Sequence, residues 1–398
     1  MNNPIEVRVT REVRAMTRRE VLLKAIEGRI TWLQAADICG MTPRHMRRLR
    51  HRYEEYGFDG LVDQRGGRPR RKRIPLKAVG ELCRLKREVY PDFSVKHFHE
   101  FATEKHGLEV SYKWTLHLLQ EAGLVEKASG RGKHRRRRER RPMRGMMLHI
   151  DGSTHEWIAG LKPWDLIWVL DDADGQVLYG RFVPQEGTTS TFAALHHVLT
   201  RYGRFCELYH DGGSHFGRTS KAGAGPDDEQ NGQVTRALKA LGVRQIFADS
   251  PQARGRSERS FGTVQGRLPQ ELRLYGITNY DDANRYLEAV FIRSFNRNFT
   301  VKPLQPESAF VPLVGVDLTL LLSSQHERVV RNDNTVSFNN VVLQIPSSSR
   351  RAHYVRCPVL VHEFIDDTLG VSYQGQLLGR YTRDGALLPL RVARRAAK

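Results

Sequence analysis

The chain has 398 residues, 39% of them hydrophobic and 9% aromatic, with a formal net charge of +20 and a pI near 10.1. That length supports several domains, each with its own core, and the charge predicts a polyanion partner. No apolar run reaches the ~18–20 residues of a membrane span, the start "MNNPIEVRVTREVRAMTRRE" has no apolar signal segment, and Cys39, Cys83, Cys206 and Cys357 form no CxxC pair, so we expect a protein of a reducing cytoplasm with no membrane and no small-molecule substrate. The charge is uneven. Residues 1–145 hold 35 Lys and Arg against 18 Asp and Glu, while residues 146–398 hold 29 against 26.

In chain order, Thr17 to Gly28 reads as a helix with Thr17 and Glu20 in capping-box spacing. A second short helix spans Thr31 to Ile38, and "CGM" makes a turn. Thr42 then caps "PRHMRRLRHRYEEYG", with Pro43 at the first helical position. Helix, glycine turn and basic helix form a helix-turn-helix pattern over residues 1–64. Arg44, His45, Arg47 and Arg48 lie early in the second helix of the motif, where base edges and phosphates are met. "RGGRPRRKR" (Arg65 to Arg73) resembles an AT-hook within a 65–75 linker, with Arg68, Arg70 and Arg71 as its minor-groove candidates, and the alternative is a plain solvated linker.

Leu76 to Val89, Ser94 to Lys105 and Ser111 to Glu121 read as three more helices, a second helix-turn-helix over 76–129. His97, His99, His106 and His117 have no cysteine pair to complete a zinc site, and a structural or solvent-facing role is expected. "GRGKHRRRRERRPMR" (130–145 in outline) is nearly pure charge. It reads as a disordered DNA-tracking linker whose contacts include Arg135, Arg136, Arg137 and Arg138.

From Met146 the pattern changes. Met147 to Asp151, Asp165 to Asp172 and Gln176 to Val183 read as strands, the last two joined by the turn "DDADGQ". Thr188 to Arg201 reads as a helix, Phe205 to Tyr209 as a strand, Val234 to Leu241 as a helix and Val243 to Phe247 as a strand. Asn279 to Phe299 reads as an amphipathic helix. Three antiparallel strands followed by alternating helix and strand is the order of a ribonuclease H-like α/β domain, here 146–300. Residues 301–324 form a connector, and short strands from residue 325 to the basic tail at 398 suggest a small C-terminal β-barrel. The expected fold is therefore multidomain: all-α helix-turn-helix units, an α/β ribonuclease H-like core and a barrel.

Three acids stand at promising ends of these elements. Asp151 closes the first strand in "LHIDGS", Asp211 follows the fourth in "LYHDGGSHF", and Glu258 opens the helix after "SPQARGR". Phosphodiester chemistry needs carboxylates that converge on one or two hard cations. Asp171, Asp172 and Asp174 belong to a turn away from the predicted edge, and Asp249 is the nearer rival. His215 reads as a phosphate contact or a plain loop residue.

In order, these motifs resemble the DDE transposases of bacterial insertion sequences, within the retroviral-integrase superfamily. In that family the first Asp ends the first strand (Asp151), the second opens a D-N/G-G loop (Asp211), and the Glu lies in a P-x-x-N-G-x-x-E-R-like run, matched by "PQARGRSER" and hence Glu258. Gly212 and Arg254 stand where relatives often carry Asn, and 46 residues separate Asp211 from Glu258, a spacing lengthened by "GRTSKAGAGPDDEQ". The terminal barrel looks like the one that follows the catalytic domain in Mu-type transposases. The resemblance implies two Mg²⁺ (or Mn²⁺) held by Asp151, Asp211 and Glu258. Water would free a 3′-OH at the element's end, and that hydroxyl would attack target DNA. Arg254, Arg256 and Arg259 would line the phosphate path. Partners would be the terminal inverted repeats, target DNA and further copies of the chain, at the nucleoid. The alternative is a catalytically silent DNA-binding regulator derived from a transposase.

Overall fold

The computed structural model describes residues 17–61, 74–127, 139–216, 232–247, 255–347 and 351–389. Arg68, Arg70, Arg71, Arg135, Arg136, Arg137, Arg138, Arg254 and Asp249 lie outside them. The chain divides into two compact units at Gly80/Glu81.

The first unit contains α1 (17–26), α2 (Trp32–Ile38) and α3 (Pro43–Tyr56), followed by a 3₁₀ turn, Gly57–Leu61. Local chemistry sets these boundaries. Thr31 and Gln34 form a reciprocal capping box on α2, and Thr42 accepts from the His45 amide at the start of α3 with Pro43 at N1. Leu22, Ala25, Ala35, Ala36, Met46, Leu49 and Leu61 close one core. A Cβ at Gly60 would collide with the Arg52 carbonyl, so only glycine fits that turn.

The division falls within α4 (Leu76–Glu88), and α5 (Val95–His106) and α6 (Tyr112–Glu121) follow in the second unit. Ser94 caps α5 and Gly107 ends it in the left-handed region at φ 63°. The buried Lys86 ammonium donates to the carbonyls of Tyr90, Pro91 and Phe93, which satisfies all three of its donors. This triple is joined firmly to the α/β core. His97, fully buried and stacked on Phe93, lies 2.9 Å from the Glu271 carboxylate, which also accepts from the Tyr286 hydroxyl. Arg267 pairs with Glu100, Arg273 with Asp92 and Arg297 with Glu104. The histidines are structural or solvent-facing as expected: His99 contacts the Val110 carbonyl, His106 the Tyr90 hydroxyl, and His117 is exposed.

The core sheet has the order β3-β2-β1-β4-β5, built from β1 (Met147–His155), β2 (Trp164–Asp171), β3 (Val177–Val183), β4 (Glu207–His210) and β5 (Arg244–Phe247). The first three strands are antiparallel, and β4 and β5 are parallel to β1. This is the strand order and direction expected of a ribonuclease H-like domain. On one face Leu148, Ile150, Ile167, Val169 and Leu208 pack under α7 (Thr188–Tyr202) and α8 (Gln233–Ala240). On the other, Leu166, Trp168 and Leu170 pack under α9 (Gly255–Gln265), α10 (Leu268–Leu274), α11 (Tyr280–Tyr286) and α12 (Ile292–Phe299). Asn279 caps α11, and a π turn, Leu287–Phe291, carries it into α12. Asn284 and Asn296 each exchange a pair of hydrogen bonds with the backbone of β3, at Phe182 and Val177. These amides occupy an edge strand that would otherwise present unpaired peptide groups.

The C-terminal region differs from the expected barrel. β6 (Ser324–Val329), β9 (Pro358–Glu363), β10 (Leu369–Tyr373), β11 (Gln376–Tyr381) and β12 (Leu387–Leu388) form one sheet ordered β12-β11-β10-β9-β6. β7 (Thr335–Phe338) and β8 (Val341–Gln344) form a separate hairpin through Asn339 and Asn340, both at positive φ. Val336, Phe338, Leu343, Val361, Val371 and Tyr381 share a core, but β6 pairs only with β9, β12 is two residues long, and no closed barrel exists among the described residues. The short α13 (Leu318–Leu321) precedes this sheet. Arg236 of α8 holds the approach to it by donating to the carbonyls of Leu321 and Ser323.

Candidate active site

Strand register brings the two aspartates level. β1 and β4 pair with Met147 opposite Glu207 and His149 opposite Tyr209, so the same register sets Asp151 opposite Asp211. β4 and β5 both stop there, at His210 and Phe247. Asp151 does not close β1, as the pattern suggested: the strand runs on to His155, paired only with β2. It sits instead where β1 loses its parallel neighbour.

Alternation fixes the face. Ile150 points into the cluster under α7 and α8, so Asp151 points to the α9 side with Trp168, its directly paired partner. The ring of Tyr209 lies 4.8 Å from that of His149, and His210 stacks at 3.7 Å on Phe216 of the opposite face. One residue further, Asp211 turns to the α9 side as well. Its Oδ1 accepts from the Gly213 amide at 3.0 Å, a tight turn in which Gly212 adopts φ 76°.

The third acid comes from α9. Ser257, Phe261 and Val264 are buried and define the face that meets the sheet. At 100° per residue, Glu258 and Gln265 share one flank of that face, and Ser260 and Arg256 lie on the other. Gln265 donates to Ser153 of β1 at 3.0 Å, while Ser260 accepts from the Trp168 indole of β2 at 2.9 Å. The flank that carries Glu258 is therefore the one turned toward β1 and β4. Arg259 projects away from the sheet, and both it and Glu258 are exposed.

All three acids offer hard oxygen donors, and Asp151 is half-buried whereas Asp211 and Glu258 are exposed. As the side chains stand, no three acids, histidines or cysteines among the described residues are gathered closely enough to hold a metal ion.

Arg256, expected along a phosphate path, turns inward instead. Its guanidinium pairs with Asp172, which is fully buried. Asp172 also lies 2.7 Å from His149 Nε2 and accepts from the Arg141 amide at 2.7 Å. Burial alone would raise this carboxyl, but the hydrogen bonds from His149, Arg256 and Arg141 outweigh it and hold Asp172 well below the usual carboxylate range. The rest of "DDADGQ" serves the same chain segment: Asp171 accepts from the Gly145 amide and Asp174 pairs with Arg144. The turn lies at the Met147 end of β1, away from Asp151.

Sequence reasoning also missed Glu186. Its carboxylate lies over Gly152, where any Cβ would strike it, and 3.6 Å from His215 Nε2. Burial pushes His215 down to about 4, which keeps the ring neutral near pH 7. No spacing rule points to Glu186, because 33 residues separate it from Gly152. In the first unit, Arg44, His45, Arg47 and Arg48 are all exposed along α3, on the side away from Met46 and Leu49.

A helix-turn-helix domain family matches residues 17–70. The chain is 32% identical over 368 residues to a protein of Sinorhizobium fredii named as transposase y4bF, covering 92% of this chain and 80% of that one. It is 23% identical over 376 residues to the transposase for insertion sequence IS1202 of Streptococcus pneumoniae, covering 85% and 80%. Among solved structures, the HTLV-2 integrase catalytic core domain in complex with magnesium (trimeric form) matches 36% of this chain and 85% of its own at 14% identity and a TM-score of 0.28. The simian T-cell lymphotropic virus intasome in complex with PP2A regulatory subunit B56 gamma matches 76% and 100% at 14% identity and a TM-score of 0.33. By its similarity to y4bF over most of both sequences, the chain belongs to the transposase family.

Proposed function

We propose that this transposase is a DDE enzyme in which Asp151, Asp211 and Glu258 form one divalent-cation site for DNA cleavage and strand transfer. The observation that carries the reading is the register of β1 and β4, which sets Asp151 level with Asp211 on the face that the Glu258 flank of α9 overlooks. Carboxylate oxygens on three separate elements suit Mg²⁺ or Mn²⁺, two ions being the arrangement suited to in-line displacement. Bound there, the cations would activate the attacking hydroxyl and stabilise the leaving oxygen. The protein's own part is to hold the three acids on rigid elements and to bring DNA to them.

DNA is engaged by residues 17–61 through Arg44, His45, Arg47 and Arg48, in the manner of a recognition helix. The basic segments with Arg68, Arg70, Arg71 and Arg135, Arg136, Arg137, Arg138 add sequence-independent phosphate contacts, as do Arg254 and Arg259. The substrates are the ends of the mobile element and a target duplex, joined by copies of the chain acting together at the bacterial nucleoid.

The test uses purified chain, DNA carrying the element's ends, and Mg²⁺. Wild type should yield new 3′-OH ends and joined products. Asp151→Asn and Asp211→Asn should each yield neither, with end binding by gel shift unchanged. Undiminished cleavage by either variant would remove that residue from the site.

A further inference from the structure

Asp172 lies at the opposite end of β1 from the acids, yet it is bound to the helix that carries the third of them. Arg256 stands two residues before Glu258 and enters the sheet beside β2, where its guanidinium meets the fully buried Asp172 carboxylate. Asp172 is itself held by His149 Nε2 at 2.7 Å and by the Arg141 amide at 2.7 Å, and its carbonyl accepts from the Arg140 guanidinium at 3.0 Å. Its position is therefore set by β1 and by the described end of the basic linker. Further anchors of α9 come later, at Ser260 and Gln265. Arg256 and the buried Ser257 lie in the first turn of this helix, ahead of Glu258, and that turn follows directly on residues outside the described set.

We propose that Asp172 and Arg256 are positioning residues for Glu258: the buried ion pair fixes the first turn of α9 against the sheet and so sets where the Glu258 carboxylate stands relative to Asp151 and Asp211. This rests on the reading of Glu258 as the third acid. The chemistry favours a fixed anchor over a DNA contact. A guanidinium paired to a buried carboxylate, with only 17% of its side chain exposed, has little surface left for a phosphate, and the pair is too dry to exchange readily. Because the end of the basic linker binds the same carboxylate, the arrangement also ties the course of that linker to the geometry of α9.

Two variants separate positioning from phosphate binding, with Glu258→Gln as the reference. Thermal melts first establish which variants are folded. Arg256→Gln should cleave element ends on the order of 10²-fold more slowly, the cost of a misplaced group, and should need more Mg²⁺ for half-maximal rate. Its end-binding affinity and salt slope should be unchanged. Asp172→Asn, which removes no charge that DNA could touch, should give the same defect, and the double variant should be no worse than either single one. Mg²⁺-induced stabilisation in the melt should shrink in both, a readout independent of turnover. The proposal is overturned if Arg256→Gln cleaves at the wild-type Mg²⁺ requirement while its salt slope falls by about 1, the mark of one lost phosphate contact. It is equally overturned if folded Asp172→Asn cleaves normally, and this variant decides the matter alone should Arg256→Gln fail to fold. Full cleavage by Glu258→Gln would strike the underlying reading of the triad instead.

Discussion

Two helical triples, α1–α3 and α4–α6, have much the same sequence signature and opposite surroundings. Each has Ser or Thr caps, a glycine in a connecting turn and apolar residues at helical spacing. In the first, Arg44, Arg47 and Arg48 lie on an exposed face of α3 while Met46 and Leu49 face the core. In the second, the polar residues of α5 are turned to the core: His97 is buried against Glu271, Glu100 pairs with the largely buried Arg267, and Glu104 pairs with Arg297 at the exposed rim. Capping and periodicity establish that three helices form. They do not establish what the third dimension places against them, and that decides whether a triple faces DNA or serves as part of the core's wall.

This contrast makes predictions of graded size. The largest is for Glu271→Ala, which strands His97 and the Tyr286 hydroxyl in a buried site. Denaturant unfolding should show a loss of about 3 kcal/mol, and a loss below ~1 kcal/mol would mean that α4–α6 is not held to the core as described. Arg47→Ala should do the reverse. It should weaken end binding by about 1–3 kcal/mol if it reads a base, or uniformly across sequences if it meets a phosphate, with no change in melting. Thr42→Ala should cost the first unit about 1 kcal/mol by removing the α3 cap. Arg273→Ala breaks an exposed pair with Asp92 and should cost at most ~0.5 kcal/mol, although it spans the same boundary as the His97 contact.

A pH series supplies a reference outside both triples. His362 is buried between Ser323 and Ser372, and burial pushes it down to about 4 from the ordinary 6.5. Between those values the unfolded chain binds the proton and the folded one does not. His362 therefore costs stability progressively as pH falls from about 6.5 to about 4. Relative to His362→Gln, the wild type should lose stability across that window and run parallel to it above pH 7.

Much of this structure was legible because its determinants are local. The α3 cap, the β2–β3 turn and the helix from Asn279 were all readable from a few consecutive residues. The extension of β1 to His155 was not, because "GSTH" has no apolar alternation and is a strand only by pairing with β2. The C-terminal strands were legible as strands, but whether they close depends on which edges meet. For the proposed site, motif order names Asp151, Asp211 and Glu258 as candidates, and the strand register and the helical phase of α9 support proposing them together. The Asp172–Arg256 pair could not be read in this way, since its members stand 84 positions apart in the chain. An arginine beside the third acid reads as a DNA contact until its partner is seen.

The most direct test of the central claim is single-turnover cleavage of element-end DNA by Glu258→Gln, because Glu258 alone joins the site from a helix rather than from the sheet. The account predicts no cleavage at any Mg²⁺ concentration, with end binding and melting as in wild type. Cleavage at the wild-type rate would contradict it.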